Sequence, residues 1–171
     1  MDLAIRDERP TDLLAVHALN AAAFPTDAEA RLVDALRAHG RLTLSLVAEE
    51  GWVVVGHIAF SPVSVEGPGG RIVTGIGLAP MAVRPERQRS GIGGRLVEAG
   101  LDRLRADGHA FCVVLGHPEY YPRFGFEPAS RFGLRWEQEA PDEVFLAREL
   151  AAGGLAGVSG VVRYAPEFEE V

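Results

Sequence analysis

The stretch that most constrains this chain is "MAVRPERQRSGIGGRLVEAGL", residues 81–101. An apolar run passes through a burst of charge and glycine into a segment of helical periodicity. Ile92, Leu96, Val97, Leu101 and Leu104 recur at three- and four-residue steps, with Arg95, Glu98, Asp102, Arg103 and Arg105 elsewhere around the wheel. That pattern predicts a helix over 92–106, ended by Gly108. Gly91, Gly93 and Gly94 stand where the helix begins. Glycine there either serves a tight strand-to-helix turn or lets something approach the backbone. A helix N-terminus carries N–H groups without intrahelical partners and the positive end of the helix dipole, so the second use is anion binding. Residues 88–94 therefore form a candidate pyrophosphate cradle, with Arg87 and Arg89 adding mobile positive charge beside it. The dinucleotide fingerprint G-x-G-x-x-G fails, because Leu96 occupies its last glycine position.

The flanking segments set the fold class. "LAIRDER" alternates as a first strand, and Thr11-Asp12 opens an amphipathic segment (Leu13, Leu14, Val16, Ala18, Leu19) that reaches Phe24 and stops at Pro25. Asp27 is a cap for a second helix carrying Leu32, Val33, Ala35 and Leu36 before Gly40. "LTLSLVAEEGWVVVGHIAFSPVSV" reads as two strands divided by the hairpin signal Glu49-Glu50-Gly51. After the turn cluster "EGPGGR" comes the strand "IVTGIGLAPMAV", in which Pro80 cannot donate to a ladder and predicts a bulge or an edge. "FCVVLG" is a short buried strand, "HPEYYPRFGFEP" a Pro-started helical turn, and "FGLRW" and "EVFLAREL" later strands. "AAGGLAGVSG" reads as a flexible link to "VVRYAPEF", which can add a strand. The order is mixed α/β (α+β), not the strict alternation of a doubly wound sheet.

Composition removes whole classes of chemistry. The 171 residues fit one domain, and a net charge of −7 gives no basic surface for general nucleic-acid binding. All 17 basic residues are arginine, which excludes a Walker-type lysine loop and any lysine Schiff base. Cys112 is the single cysteine, so neither an internal disulfide nor a Cys-based zinc site is available. No His/Asp/Glu cluster has metal-ligand spacing, and no metal is expected. No window approaches 18 apolar residues, and "MDLAIRDERP" lacks the apolar core of a signal peptide. No membrane partner is expected, and a cytoplasmic location is the default.

Val83-x-Pro85-x-x-Gln88-x-x-Gly91-x-Gly93, between an apolar strand and an amphipathic helix, resembles the coenzyme A signature of the GCN5-related N-acetyltransferases (GNAT). "YYPRFGFEP" resembles the family's second landmark, an aromatic pair leading to Gly-Phe; "VLGHPEYYPRFGF" and "HIAFSPV" resemble more narrowly a subgroup of small bacterial acetyltransferases. The resemblance implies a mixed, largely antiparallel twisted sheet flanked by helices, with a bulged central strand splayed to hold coenzyme A. It covers residues 1–150, with 151–171 as a C-terminal extension packed on the same domain. Pantetheine would pair with the backbone of Met81 and Val83, and the phosphates would meet the turn from Gln88 through Arg89, Ser90, Gly91, Ile92, Gly93 and Gly94. Pro80 fits the bulge. The implied co-substrate is acetyl-CoA, the acceptor a primary amine acetylated by direct transfer in a ternary complex, and the assembly a homodimer.

Such a transfer needs a neutral amine, a donor for the oxyanion and a proton for the leaving thiolate. The backbone N–H of Met81 is the oxyanion donor that the resemblance implies. Tyr121, in Tyr-x-x-x-Gly-Phe, is the candidate general acid; the other reading is an amphipathic core tyrosine, and Tyr120 is a packing residue. Many relatives place a glutamate on the strand before the signature, but "TGIGLAPM" has none. His57, Glu49, His117 and Glu119 are the groups available as base; equally, His57 is a packed strand histidine, and His117 and Glu119 are caps or solvated turn residues. His17, His39 and His109 read as surface residues and Cys112 as a buried small hydrophobe. Trp52 and Trp136 either line a pocket or pack at the core or rim. The missing glutamate keeps a second class open: a non-catalytic sensor or assembly module that binds coenzyme A or an acyl-CoA. The acidic balance suits a cationic acceptor.

Overall fold

A computed structural model describes residues 2–171. The first strand, β1 (Leu3–Asp7), carries a guanidinium that fixes the path of the chain into the first helix. Arg6 grips Asp12 with two bonds, of 2.8 and 3.1 Å, and reaches Glu49 at 2.8 Å. Asp12 also accepts the Arg9 N–H at 2.7 Å, so the turn Pro10–Asp12 is tied to β1 just before α1 (Leu13–Ala23) begins. The Arg6 hydrogen bonds hold the Asp12 carboxyl below its ordinary value despite burial. α1 ends at Phe24, in extended conformation before Pro25, as sterics ahead of proline require.

In α2 (Ala28–Ala38) the expected cap works differently. Asp27 has φ −86° and ψ 10°, not the extended backbone of a capping residue, and its carboxylate turns to Arg31 Nε at 3.0 Å. Val16, Val33 and Val47 form a buried cluster, with Leu42 and Val54 packed on it. The strands β2 (Leu44–Glu50) and β3 (Val53–Glu66) form an antiparallel hairpin, with a register shift between Ala48 and Glu49. Its two-residue turn puts Gly51 and Trp52 at φ 55° and 69°, the left-handed pair that matches the twist of the strands.

The remaining elements are β4 (Ile72–Val83), α3 (Ile92–Ala106), β5 (Phe111–Leu115), β6 (Glu127–Pro128), β7 (Leu134–Trp136), β8 (Phe145–Glu149) and β9 (Gly160–Arg163). The helix expected at 92–106 therefore has those bounds. After Gly108, at φ 90°, the His109 N–H returns to the Leu104 carbonyl at 3.0 Å and closes the helix end. Among the described residues the strands form one nine-stranded, mostly antiparallel sheet of order β1-β2-β3-β4-β5-β8-β6, with β9 pairing β3 and β7. The β4–β5 pair is parallel and short, Ile76↔Cys112 and Gly77↔Val113, after which β4 runs on through Pro80 to Val83. β7 and β9 are also parallel. Neither parallel pair is adjacent in sequence, so neither is visible in a hairpin signal. β6 has no strand signal of its own, being two residues with a proline. No described helix is long and apolar enough to cross a membrane.

Contacts divide the chain into two units. One is built from residues up to Ser61 with Ala79–Gly100 and Pro166–Val171; the other from Pro62–Leu78 with Leu101–Ala165. In the first, the turn at Pro166–Glu169 is anchored by buried Glu167, which accepts from Arg41 and lies 2.9 Å from His39 Nδ1. In the second, Val63, Phe111, Val113, Leu134, Phe145 and Val162 are among the residues of a common core.

Candidate functional site

The strand-to-helix turn is where the backbone leaves its donors open. After Val83 the chain makes a 3-10 turn, Pro85–Arg87, and Gln88 reaches back to donate its side-chain amide to the Val83 carbonyl at 3.1 Å. Arg89 then takes φ 62°, Ser90 Oγ donates to the Arg87 carbonyl at 2.5 Å, and Gly91 takes φ 88°. Left-handed residues in such a turn are a backbone conformation in which N–H groups can form an anion-binding concavity. The N–H groups of residues 89–94 find no acceptor among the described residues; the next, of Arg95, bonds the Gly91 carbonyl at 3.1 Å.

The glycines divide by physical cause. At Gly91 a side chain would meet nothing within 4 Å, so only the left-handed φ asks for glycine. Gly93 and Gly94 lie in the first turn of α3 without a left-handed φ. No turn requires them, and each costs about 1 kcal/mol of helix propensity relative to alanine. A bare backbone at a dipole-positive helix start is a fit for an anion that comes close. Ile92 is different: its side chain is buried, so only its N–H can serve.

The charge around the turn is not what the sequence suggests. Arg87 is tied to Glu50, with Nη2 3.0 Å from Oε2, and is not the mobile cation expected. Arg84 lies 3.4 Å from Glu86, and Arg95 donates to the Leu3 carbonyl at 3.3 Å. Arg89 is exposed and has no ion pair among the described residues. Met81 and Val83 lie half-buried at the end of β4, flanking buried Ala82.

Tyr121 opens a 3-10 turn, Tyr121–Phe124, in the second unit. Its ring is buried edge-on between Tyr120 (5.1 Å) and Phe126 (5.8 Å), while its hydroxyl bonds nothing among the described residues. Burial, with smaller contributions from Tyr120 and Cys112, pushes the phenol well above its ordinary value, so it stays protonated at neutral pH. Two residues missed in the sequence hold it there. Gly116 has no side chain where the Tyr121 ring sits, and Arg148 Nη1 donates to the Phe124 carbonyl at 2.6 Å, bracing the turn. Neither has a local signal, since β5 and β8 bring them in from elsewhere. Tyr120 is half-buried, with the Arg123 guanidinium 4.7 Å above its ring.

The candidate bases separate cleanly. His57 is fully buried on β3 and does not reach an open site. Asn20 Nδ2, oriented by its 3.0 Å bond to the Val16 carbonyl, points at Nδ1 (3.3 Å), so Nε2 carries the hydrogen and donates to Ser45 Oγ at 2.8 Å. Burial lowers its pKa to about 3, which leaves a neutral structural imidazole. Glu49 is engaged by Arg6. His117 and Glu119 are exposed, and the His117 carbonyl caps the turn by accepting the Tyr120 and Tyr121 N–H groups at 3.1 and 3.3 Å. Cys112 is buried, and burial raises its thiol to about 12. No group of three metal-ligating side chains exists among the described residues.

The tryptophans part company too. Trp52 stands 93% exposed at the hairpin tip. Trp136 lines a cavity of about 620 Å³ in the second unit, with Leu134, Arg135, Glu139, Asp142 and Phe145 among its walls. The sequence carries no periodic or motif signal for that cavity.

Residues 4–129 match the family described as an acetyltransferase (GNAT) domain. The uncharacterized N-acetyltransferase YhbS of Escherichia coli K12 is 42% identical over 168 residues, 97% of this chain and 98% of the relative. The crystal structure of E. coli YhbS in complex with CoA superposes with a TM-score of 0.92 at 41% identity, covering 98% of this chain and 92% of that one. A GNAT family acetyltransferase from Brucella melitensis, solved with acetyl-CoA, gives 0.79 at 38% identity, covering 98% of both chains.

Proposed function

The chain belongs to the GNAT acetyltransferase family, and from that premise we propose that it moves an acetyl group from acetyl-CoA to a primary amine by direct attack in a ternary complex. The observation that carries this reading is the run of unpaired N–H groups over residues 89–94 at the start of α3, bare at Gly93 and Gly94 and joined by the free guanidinium of Arg89. Those groups suit the pyrophosphate of the coenzyme, which the YhbS and Brucella relatives hold as CoA and acetyl-CoA. The backbone of Met81 and Val83 is assigned to pantetheine. Gln88 is assigned to hold the turn against Val83.

Direct transfer is favoured by the state of the one thiol. Cys112 is sealed and protonated, and no lysine exists, so no acetyl-cysteine or acetyl-lysine relay is at hand. The balance is simple: a neutral amine nitrogen bonds the thioester carbonyl carbon, the C–S bond breaks, the nitrogen loses a proton and the thiolate gains one. Reaching the neutral amine from a lysine-like ammonium at pH 7 costs about 4–5 kcal/mol. With His57 buried and Glu49 paired, the proton leaves through water, with Glu119 and His117 as the exposed groups near the candidate acid in sequence. Tyr121 supplies the proton to the thiolate. Its phenol, kept neutral by burial, holds a proton at neutral pH, and the same burial weakens it as an acid, so its help to the thiolate is modest.

Tyr121→Phe tests the role of the acid. Turnover should fall about tenfold, since a thiolate leaves tolerably without help. Acetyl-CoA affinity, measured by calorimetry, should stay near wild type; unchanged turnover at saturating substrates removes Tyr121 from the chemistry. Intersecting initial-rate plots in acetyl-CoA and amine support the ternary complex, and parallel ones contradict it.

A further inference from the structure

The cavity beside Trp136 has features of a ligand site that the family match does not reach, for its lining lies within 130–145 and the matched span ends at 129. Its volume of about 620 Å³ falls within the roughly 300–1,000 Å³ of small-molecule sites. Leu134 and Phe145 are buried and give it an apolar floor, Trp136 gives a half-buried indole, and Glu139 and Asp142 stand exposed on the lining. Neither carboxylate has an ion pair or hydrogen bond from its side chain among the described residues, whereas neighbouring Glu137 is taken by Arg163 at 3.0 Å. Arg135 is the one cation on the lining, so the two carboxylates leave the cavity with an excess of negative charge.

No residue of the Tyr121 turn lines the cavity, but the segment that carries Asp142 and Phe145 is bonded to Gly116, the residue beneath the Tyr121 ring. The Val144 carbonyl, at the end of the acidic segment, accepts the Gly116 N–H at 2.9 Å, and the Tyr121 ring fills the space of the missing Gly116 side chain. Two free carboxylates next to an indole above an apolar floor match a cation on an alkyl stem, through ion pairing, cation–π attraction and burial of methylenes. We infer that this cavity receives the acceptor as a small diamine or polyamine, with the distal ammonium between Glu139 and Asp142 and the stem along Trp136. The inference rests on the acetyltransferase function proposed for the chain. It adds the substrate class and the residues that select it.

The test separates binding from chemistry. Spermidine is titrated by calorimetry into the full-length protein in the presence of CoA, so no turnover is required. Binding to wild type is expected, weakened about tenfold in a Glu139→Gln/Asp142→Asn double variant, as for two partly exposed ion pairs. A Glu98→Gln/Glu170→Gln variant removes the same charge from exposed sites elsewhere and should bind as wild type does. Thiol release from acetyl-CoA is then compared for 1,4-diaminobutane, butylamine and a lysine-containing peptide. The diamine should be favoured over butylamine by about tenfold in kcat/KM, with that preference lost in the first double variant through KM for the diamine, not KM for acetyl-CoA. Absent spermidine binding, equal loss in both double variants, or a peptide or butylamine used as well as the diamine overturns the inference. Carboxylate-dependent spermidine binding without thiol release from any amine upholds the cation site and overturns acetyl transfer instead.

Discussion

In the turn at 88–94 the groups that face outward are backbone N–H groups, aimed by local conformation: Arg89 and Gly91 at positive φ, then the first residues of α3. Between 116 and 145 the corresponding groups are side chains: Trp136 on β7, Tyr121 and Asp142 on 3-10 turns and Glu139 on a connecting segment, held among strands that pair with distant parts of the chain. The first region needs particular residue types only where the backbone must bend or be bare. The second is made of the side chains themselves, yet its residue types are ordinary and their spacing carries no period. A site made from backbone therefore leaves a spaced signature, and a site made from side chains leaves a composition.

The largest effect is expected where that contrast is most exposed to attack. Gly94→Asp puts a carboxylate among the open N–H groups. Acetyl-CoA affinity should drop about a hundredfold by calorimetry, while the melting temperature holds or rises, since an acid in the first turn favours the helix by about 0.5 kcal/mol. Retained affinity would mean that the turn is only a turn; Ser90→Asp, at an exposed position, repeats the test outside the helix. Gly116→Ala probes the other construction. The new methyl must displace the Tyr121 ring, so turnover should fall about tenfold with little change in acetyl-CoA affinity. Equal loss in both quantities would show that the two regions are not separable. The smallest effect belongs to Gln88→Ala. It removes one exposed hydrogen bond to the Val83 carbonyl and should weaken acetyl-CoA binding only about threefold.

How much is legible in the chain divides along the same line. The order of elements, the span of α3 and the glycine turn can be read because hydrophobic period, turn chemistry and helix starts are local. Asp27 and Arg87 are misjudged from sequence because a partner decides them: Arg31 draws the first from its capping role, and Glu50 neutralises the second. His57 shows the limit most plainly. In "GHIAF" it could face water or core; the structure buries it against Ser45 and Asn20 and so removes it from the chemistry.

By itself, the sequence determined that residues 81–106 pass from strand to helix through a glycine-rich turn. It also determined that neither lysine nor an extra cysteine is available to carry an acyl group. The tertiary structure alone decided which cation is free, which histidine is sealed, where the Tyr121 ring rests and that Trp136 shares a cavity with two unpaired carboxylates. Backbone direction is set by dihedral angles within a few residues. Burial, pairing and protonation depend on atoms that folding brings from elsewhere in the chain.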